Sequence, residues 1–451
     1  RNRLFLNTGN PVNAAPLAPS AMDEPDAIAY KQLETVALEW KAAIDDRTGD
    51  AMGYHVRVGT TPGGDEIVTS QLQPYPGNAG ATTSFTLSLT SGTYYWAVRA
   101  IDNTGYTPGP WSSEDSFTIT YAFTDLWTSA YVAESYSARW GDWDGDNDLD
   151  FALAVRDDSV RVYSRKETGG FTSVWTSVEL SRTRSVDWGD YDRDGDLDLL
   201  TGAQDAPNLV YRNDGGGSFV ETWYSYNIAS TWDARWGDFN RDGLLDMLIG
   251  NMGAVSRVWK NDGGDSFSAV WATPSGANTA GVNWTDANGD GELDFALANR
   301  AGRNRVYIHA NPWWVFEESW HTTPGNETYS IVPGDYDGDG DEDLLAANFG
   351  QQNVLYANDG SGSYTAAWTS AETDPSWQAA WADYDGDGDL DQIVAAFNAP
   401  DSIYRNDGGD SFSLVWTRAA GRNIALLPGD YDGDGDLDLL APVLDHIDIV
   451  L

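Results

Sequence analysis

Asp335-Tyr336-Asp337-Gly338-Asp339-Gly340-Asp341-Glu342-Asp343 places a carboxylate at every second position of a nine-residue stretch, and nearly the same phrase returns as Asp430-Tyr431-Asp432-Gly433-Asp434-Gly435-Asp436-Leu437-Asp438. Its first Asp recurs at Asp142, Asp190, Asp238, Asp286, Asp335, Asp383 and Asp430, in steps of 48, 48, 48, 49, 48 and 47 residues. Steps this regular mark a structural repeat, and their length is close to that of one four-stranded propeller blade. A tryptophan keeps the same step ahead of each acidic loop, at Trp127, Trp175, Trp223, Trp271, Trp320, Trp368 and Trp416. So does an aromatic or apolar strand residue, at Tyr163, Tyr211, Trp259, Tyr307, Tyr356, Tyr404 and Leu451.

Within one repeat the pattern predicts four short strands. SVDWGD runs into the acidic loop, LDLLTG leaves it, NLVYRND follows, and a Gly-rich turn leads to SFVETW. No stretch carries a helical period. Seven such units read as a seven-bladed β-propeller, in which closure of the ring protects the strand edges. The last unit ends at IDIVL without a fourth strand, while the fourth-strand phrase FTDLWT from Phe123 precedes the first unit without an owner. Joining the two completes seven blades. One piece is left over: Arg3-Leu4-Phe5-Leu6 reads as a further third strand, the remnant of a preceding array, a competitor for IDIVL, or a strand for self-assembly with another subunit.

Alternating carboxylates on a tightly curled loop can aim several oxygens at one point, which suits a hard cation such as Ca²⁺ with six to eight oxygen ligands. Positions 1, 3, 5 and 9 are the candidate ligands. In chain order they are Asp142, Asp144, Asp146 and Asp150; Asp190, Asp192, Asp194 and Asp198; Asp238, Asn240, Asp242 and Asp246; Asp286, Asn288, Asp290 and Asp294. The last three sets are Asp335, Asp337, Asp339 and Asp343; Asp383, Asp385, Asp387 and Asp391; Asp430, Asp432, Asp434 and Asp438. Up to seven Ca²⁺ are expected, most weakly where Asn240 and Asn288 replace Asp. Position 6 is Gly in six loops and Asn147 in the first, residue types that readily take positive φ. Position 8 is Leu in six loops, an apolar side chain expected to turn inward, with Glu342 as the exception. The flanks are strands and position 12 holds no Glu, so these are not EF-hands. Mg²⁺ favours water-rich octahedral sites, and transition metals favour His or Cys. The four His, at 55, 309, 321 and 446, read as ordinary turn or surface residues.

The 451 residues include 70 acidic and 26 basic side chains, no Cys, and a formal charge of −44. That balance argues against nucleic acid or an anionic membrane surface as partner. The seven loops hold 33 acidic and 2 basic residues, a net of −31, which leaves −13 for the rest of the chain. The acidity is therefore local, and without a cation each loop would repel itself, so metal binding should couple to folding. No run approaches the length of a membrane-spanning segment. The absence of a starting Met and the break inside a strand at Leu451 lead us to expect a mature piece or segment of a longer protein.

On these loops, residues 121–451 resemble a run of FG-GAP/VCBS-type repeats, the calcium-loop propellers related to the integrin α-subunit head. Ahead of them, residues 1–16 form the leftover strand and a Pro- and Asn-rich linker. Residues 17–120 resemble a fibronectin type III β-sandwich, with Trp40 at its core tryptophan position and Tyr94 at its tyrosine corner. The resemblance implies a non-catalytic, secreted or cell-surface calcium-stabilised scaffold for adhesion, recognition or assembly, with protein or carbohydrate partners. The alternative is the non-catalytic part of, or a propeller diverged from, a secreted polysaccharide-degrading enzyme. No nucleophile elbow, zinc-protease motif or phosphate loop is present, and no catalytic residue is assigned. The repeating tryptophans are expected to pack between blades; Trp313 and Trp314, which break the repeat, are the aromatic pair expected to contact a partner. Asn283 and Asn326 open formal glycosylation tripeptides.

Overall fold

The computed structural model describes residues 20–21, 28–29, 34–43, 52–69, 77–89, 92–102, 108–121, 127–129, 134–166, 169–179, 182–310, 314–323, 325–431, 433, 437–443 and 449–450. The expectations placed on residues 1–16, Trp313, Asp432, Asp434, His446 and Leu451 lie outside these. The described residues contain strands and turns and no helix. The chain divides into two compact units, Arg1–Phe123 with Asp385–Asp387, and Thr124–Tyr384 with Gly388–Leu451.

In the first unit, Ser20–Ala21, Glu34–Lys41 and Ser84–Leu89 form one sheet, and Ile28–Ala29, Asp115–Tyr121, Gly92–Asp102 and Met52–Gly59 form another. Alternation along ETVALEWK buries Val36, Leu38 and Trp40 and leaves Ala37 and Glu39 outside. Those three share one core with Tyr54, Val56, Val58, Trp96 and Val98 of the other sheet. Trp40 meets Tyr54 edge-on at 5.4 Å, and Tyr94 is buried and stacked on Phe117 at 5.6 Å. His55 lies fully buried in its strand, so the surface reading of that histidine is wrong.

The second unit repeats one antiparallel plan. Thr183–Gly189 pairs with Asp198–Ala206, that strand with Leu209–Asn213, and that one with Phe219–Tyr224. The first strands of the other units are Ser135–Gly141, Ala229–Gly237, Ala277–Thr285, Thr328–Gly334, Ser376–Ala382 and Leu427–Gly429. Second strands such as DFALAV and DLLAAN are buried at every residue, because sheets pack on both faces; this is why they read as unbroken apolar runs. In the sixth unit one strand, Asp391–Asn406, pairs with Ser376–Ala382 through its first half and with Phe412–Arg422 through its second. In the last unit Ile449–Val450 pairs with Trp127–Thr128, in the register Ile449 to Thr128 and Val450 to Trp127. The strand ahead of the first unit therefore completes the sheet of the last.

Neighbouring units meet through a glycine and an indole. A Cβ added at Gly141 would lie 2.6 Å from Trp188 of the next unit, and Gly189, Gly237 and Gly334 are as tightly covered by Trp236, Trp284 and Trp381. Gly429 of the last unit stands under Trp140 of the first in the same way, at 2.9 Å. The Trp140 indole N–H donates to the Leu427 carbonyl at 3.0 Å, as Trp188 donates to Arg139 at 3.1 Å. Where the next unit offers Pro333 or Pro428 instead of Trp, the glycine position holds Thr285 or Ala382. The repeating tryptophans also pack onto the following unit: Trp175 on Tyr211 and Phe219, Trp223 on Trp259 and Phe267, Trp320 on Tyr356 and Tyr364.

Candidate metal centres

Each of the six acidic loops from Asp142 to Asp391 joins the first strand of a unit to the second and curls around its position 1 carboxylate. One oxygen of that carboxylate accepts the position 6 N–H: Asp142 from Asn147 at 2.9 Å, Asp190 from Gly195 at 3.1 Å, Asp238 from Gly243 at 2.7 Å, Asp286 from Gly291 at 2.8 Å and Asp335 from Gly340 at 3.1 Å. Reaching that N–H requires a left-handed turn, and φ at position 6 is 69° at Asn147 and 80° to 98° at Gly195, Gly243, Gly291, Gly340 and Gly388. Position 4 is left-handed as well, which the sequence hides because Arg193 and Arg241 hold it at φ 66° and 57°. Position 5 then accepts from position 7, as in Asp146 from Asp148 at 2.9 Å and Asp339 from Asp341 at 3.0 Å.

This winding brings carboxylates together. Oxygens of Asp142, Asp144 and Asp146 lie within 4.8 Å of one another, as do those of Asp190, Asp192 and Asp194, of Asp335, Asp337 and Asp339, and of Asp383, Asp385 and Asp391. The Asp238 and Asp286 loops have Asn240 and Asn288 at position 3, whose side-chain oxygens accept the position 5 N–H at 2.8 Å and 3.0 Å. The Asp286 loop also receives Glu342 from the next unit, whose carboxylate accepts the Thr285 hydroxyl at 2.7 Å and the Asp286 N–H at 2.9 Å. Glu342 stands where other units carry Leu, and Thr285 where most carry Gly, so a polar pair replaces an apolar contact such as Leu245 over Gly189.

Position 9 begins the second strand, and Asp150, Asp198, Asp246, Asp294 and Asp343 are buried there. Burial pushes each of these carboxyls up to about 7, against the pull of backbone N–H donors. One oxygen accepts the N–H fifteen residues on, at 2.8 Å from Asn213 to Asp198 and 2.7 Å from Asn261 to Asp246. The other accepts the position 2 N–H at 3.0 Å from Tyr191 to Asp198 and 3.2 Å from Tyr336 to Asp343. In two loops this second oxygen, of Asp150 and of Asp246, is buried without a hydrogen-bond partner, and so is one oxygen of Asp286. Buried acceptor lone pairs facing other carboxylates are what a bound cation would satisfy. The donor set, all oxygen and mostly anionic, fits Ca²⁺, with positions 1, 3, 5 and 9 as holders.

Two groups that hold the loops in place escaped the sequence reading. Position 2 is a buried aromatic in five of seven loops; Tyr191 packs on Phe267 of the next unit at 5.8 Å, and Tyr431 of the last unit on Phe171 of the first at 6.0 Å. The Asn ending the third strand donates its side-chain N–H to the position 2 carbonyl of the preceding unit: Asn213 to Trp143 at 2.9 Å, Asn261 to Tyr191 at 3.0 Å, Asn406 to Tyr336 at 2.8 Å. Its signal was present as the recurring Asn-Asp pairs at 213, 261, 358 and 406. In the fourth unit His309 takes this place and is packed against Phe316 at 4.9 Å, with Glu292 at 3.1 Å; it is not a surface residue. Trp314 is 44% exposed at φ 53°.

The sheets and loops define an all-β repeat protein of the β-propeller type. Residues 142–201, 198–249, 238–297, 286–346, 335–394 and 383–441 each match the FG-GAP-like repeat, and the chain belongs to that family. Among solved structures it is similar to BBS1N in complex with ARL6DN, soaked with lead, at 12% identity and a TM-score of 0.54 over 72% of this chain and 95% of that one. The same complex soaked with mercury matches at 13% identity and a TM-score of 0.52, with the same coverage. No curated protein matches the chain.

Proposed function

We propose that the chain is a calcium-stabilised scaffold: a seven-bladed propeller preceded by a fibronectin type III-like sandwich, secreted or held at a cell surface, that binds partners without catalysing a reaction. The observation that carries this reading is the winding of the loops, which gathers three carboxylates within 4.8 Å at four places. Ca²⁺ at these loops would tie the start of each second strand to the end of the first. Extracellular calcium modules bind in the range of about 10⁻⁴ to 10⁻³ M and stay loaded outside cells, so the ions would act as folding cofactors. The similar BBS1N structure is a complex with ARL6DN, which supports protein partners for a body of this fold.

Thermal unfolding followed by circular dichroism, with about 1 mM Ca²⁺ and again with a chelator, tests the reading together with a count of bound metal. A large upward shift with close to seven ions per chain is expected. No shift and no bound calcium would refute it.

A further inference from the structure

The residue six places before each acidic loop lines one cavity of about 400 Å³. Tyr136, Arg184, Trp232, Tyr329 and Trp377 supply its large side chains, with Ala280 and Ile424 at the two remaining equivalent places. A cavity lined by the same position of every repeat is the central channel of the repeat array. Its wall is not uniform. Three places further along the same strands stand Arg139, Asp187, Arg235 and Asn283, then Val332, Ala380 and Leu427, so the early units present charge and the later ones apolar surface. A purely structural filling of a symmetric hole has no need of this asymmetry.

The charged side holds one cation more than its acids neutralise. Arg235 pairs with Asp233 at 3.1 Å and approaches Asp187 at 4.0 Å, and Arg139 approaches Asp187 at 3.7 Å. Two guanidiniums and two carboxylates thus balance. Arg184 is different: two of its nitrogens go to the neutral side-chain oxygen of Gln204, at 2.9 Å and 2.7 Å. Its faces are covered by Tyr136 at 3.9 Å and Trp232 at 4.3 Å, and Arg300 continues the stack over Trp232 and Tyr329 at 5.2 Å and 4.6 Å. Burial holds the Arg184 guanidinium below its ordinary range, and the like charges of Arg156 and Arg300 add to this. A half-buried guanidinium held rigid between two rings, with no carboxylate of its own among the described residues, is set up to receive an anion.

Trp377, half-buried and packed 4.6 Å from the buried Tyr329, also lines the cavity, and Asn283 and Gln378 add amides. Guanidinium, aromatic faces and amides in one cavity match three features of a single ligand class: a carboxylate, a ring with C–H faces, and hydroxyls. We propose that the channel is a binding site for an acidic sugar, with Arg184 taking the carboxylate, Trp377 the ring, and Asn283 and Gln378 hydroxyl groups. The site uses no residue of the acidic loops, so it stands whether or not they hold calcium.

The test titrates the whole chain, at fixed calcium and physiological salt, with glucuronate, glucose and inorganic phosphate, following tryptophan fluorescence. Glucuronate is expected to bind saturably, with glucose at least about tenfold weaker for want of the charge-assisted bond, which contributes about 1.5–3 kcal/mol, and phosphate weaker than glucuronate for want of the ring and hydroxyl contacts. Arg184→Gln should weaken glucuronate by at least about tenfold without moving the melting temperature or the calcium count. Ala280→Trp, which leaves every proposed ligand group in place and narrows the channel, should abolish binding and serves alone if Arg184→Gln does not fold. No saturable binding of glucuronate up to about 20 mM would overturn the proposal. So would glucose or phosphate binding as tightly as glucuronate, or unchanged binding in both variants.

Discussion

Calcium binding should expel protons from this chain, in a number set by the buried carboxyl at position 9. Asp150, Asp198, Asp246, Asp294 and Asp343 are all pushed up to about 7 by burial. At pH 6.5 each is about three-quarters protonated in the metal-free fold, so these five hold about four protons per chain; at pH 8.5 they hold well under one. A cation bound at the loops requires the ionised form. Calorimetric titration of chelator-treated protein in two buffers of different ionisation enthalpy reads the release directly. About four protons should leave at pH 6.5 and essentially none at pH 8.5, and the apparent affinity of these five loops should fall about tenfold per pH unit below 7. The sign for stability follows. A carboxyl raised in the fold favours the folded state below its unfolded value near 4, and that contribution is lost as pH rises through about 7. Metal-free protein should therefore lose stability from pH 5 to pH 8, whereas calcium-saturated protein, in which these carboxyls are ionised throughout, should keep a nearly level stability over the same window. Calcium that binds at pH 6.5 without releasing protons would refute the reasoning and remove position 9 from the ligand set.

Three further substitutions address how the units are joined. Gly189→Ala and Gly429→Ala each drive a methyl group into an indole of the neighbouring unit, at Trp236 and Trp140, and should cost about 1–3 kcal/mol in urea unfolding; a neutral Gly429→Ala beside a costly Gly189→Ala would show that the last and first units do not press together. Asn261→Ala strips donors from the Tyr191 and Leu245 carbonyls, now served at 3.0 Å and 3.2 Å, and should cost about 1–3 kcal/mol with a weaker neighbouring calcium site; unchanged stability would mean that water replaces the amide.

Much of the fold was legible because repetition multiplies a weak signal. One Asp-x-Asp loop says little, but seven at a constant step locate the loops, the four strands and the positive φ at Asn147 and Gly195. The pairing of Trp127 with Val450 was also readable, from a strand short at one end and a spare at the other. What stayed hidden depends on partners far away in sequence. Asn261 acts on Tyr191, 70 residues back, and Gly189 is forced by Trp236 in the next repeat, so neither identity means much alone. The left-handed turn at position 4 was masked because Arg193 and Arg241 occupy it. His55 and His309 looked like surface residues because an isolated histidine carries no sign of the core around it. The channel escaped notice because its residues differ from unit to unit, and a search for likeness passes over differences.

The glycine and indole contacts imply a grammar of neighbours. Units one to three offer Trp and Gly, units four and six Trp and a residue with a side chain, units five and seven Pro and Gly. Gly can precede Trp, while Thr285 and Ala382 can precede only Pro, since a Cβ beneath an indole has no room. The modules are thus not interchangeable beads. Starting the chain at another unit and rejoining its ends would keep every junction legal, and so would exchanging the fourth unit with the sixth. Moving the fourth unit one place forward would set Thr285 under an indole, so recombination within this array is restricted to reorderings that respect the rule.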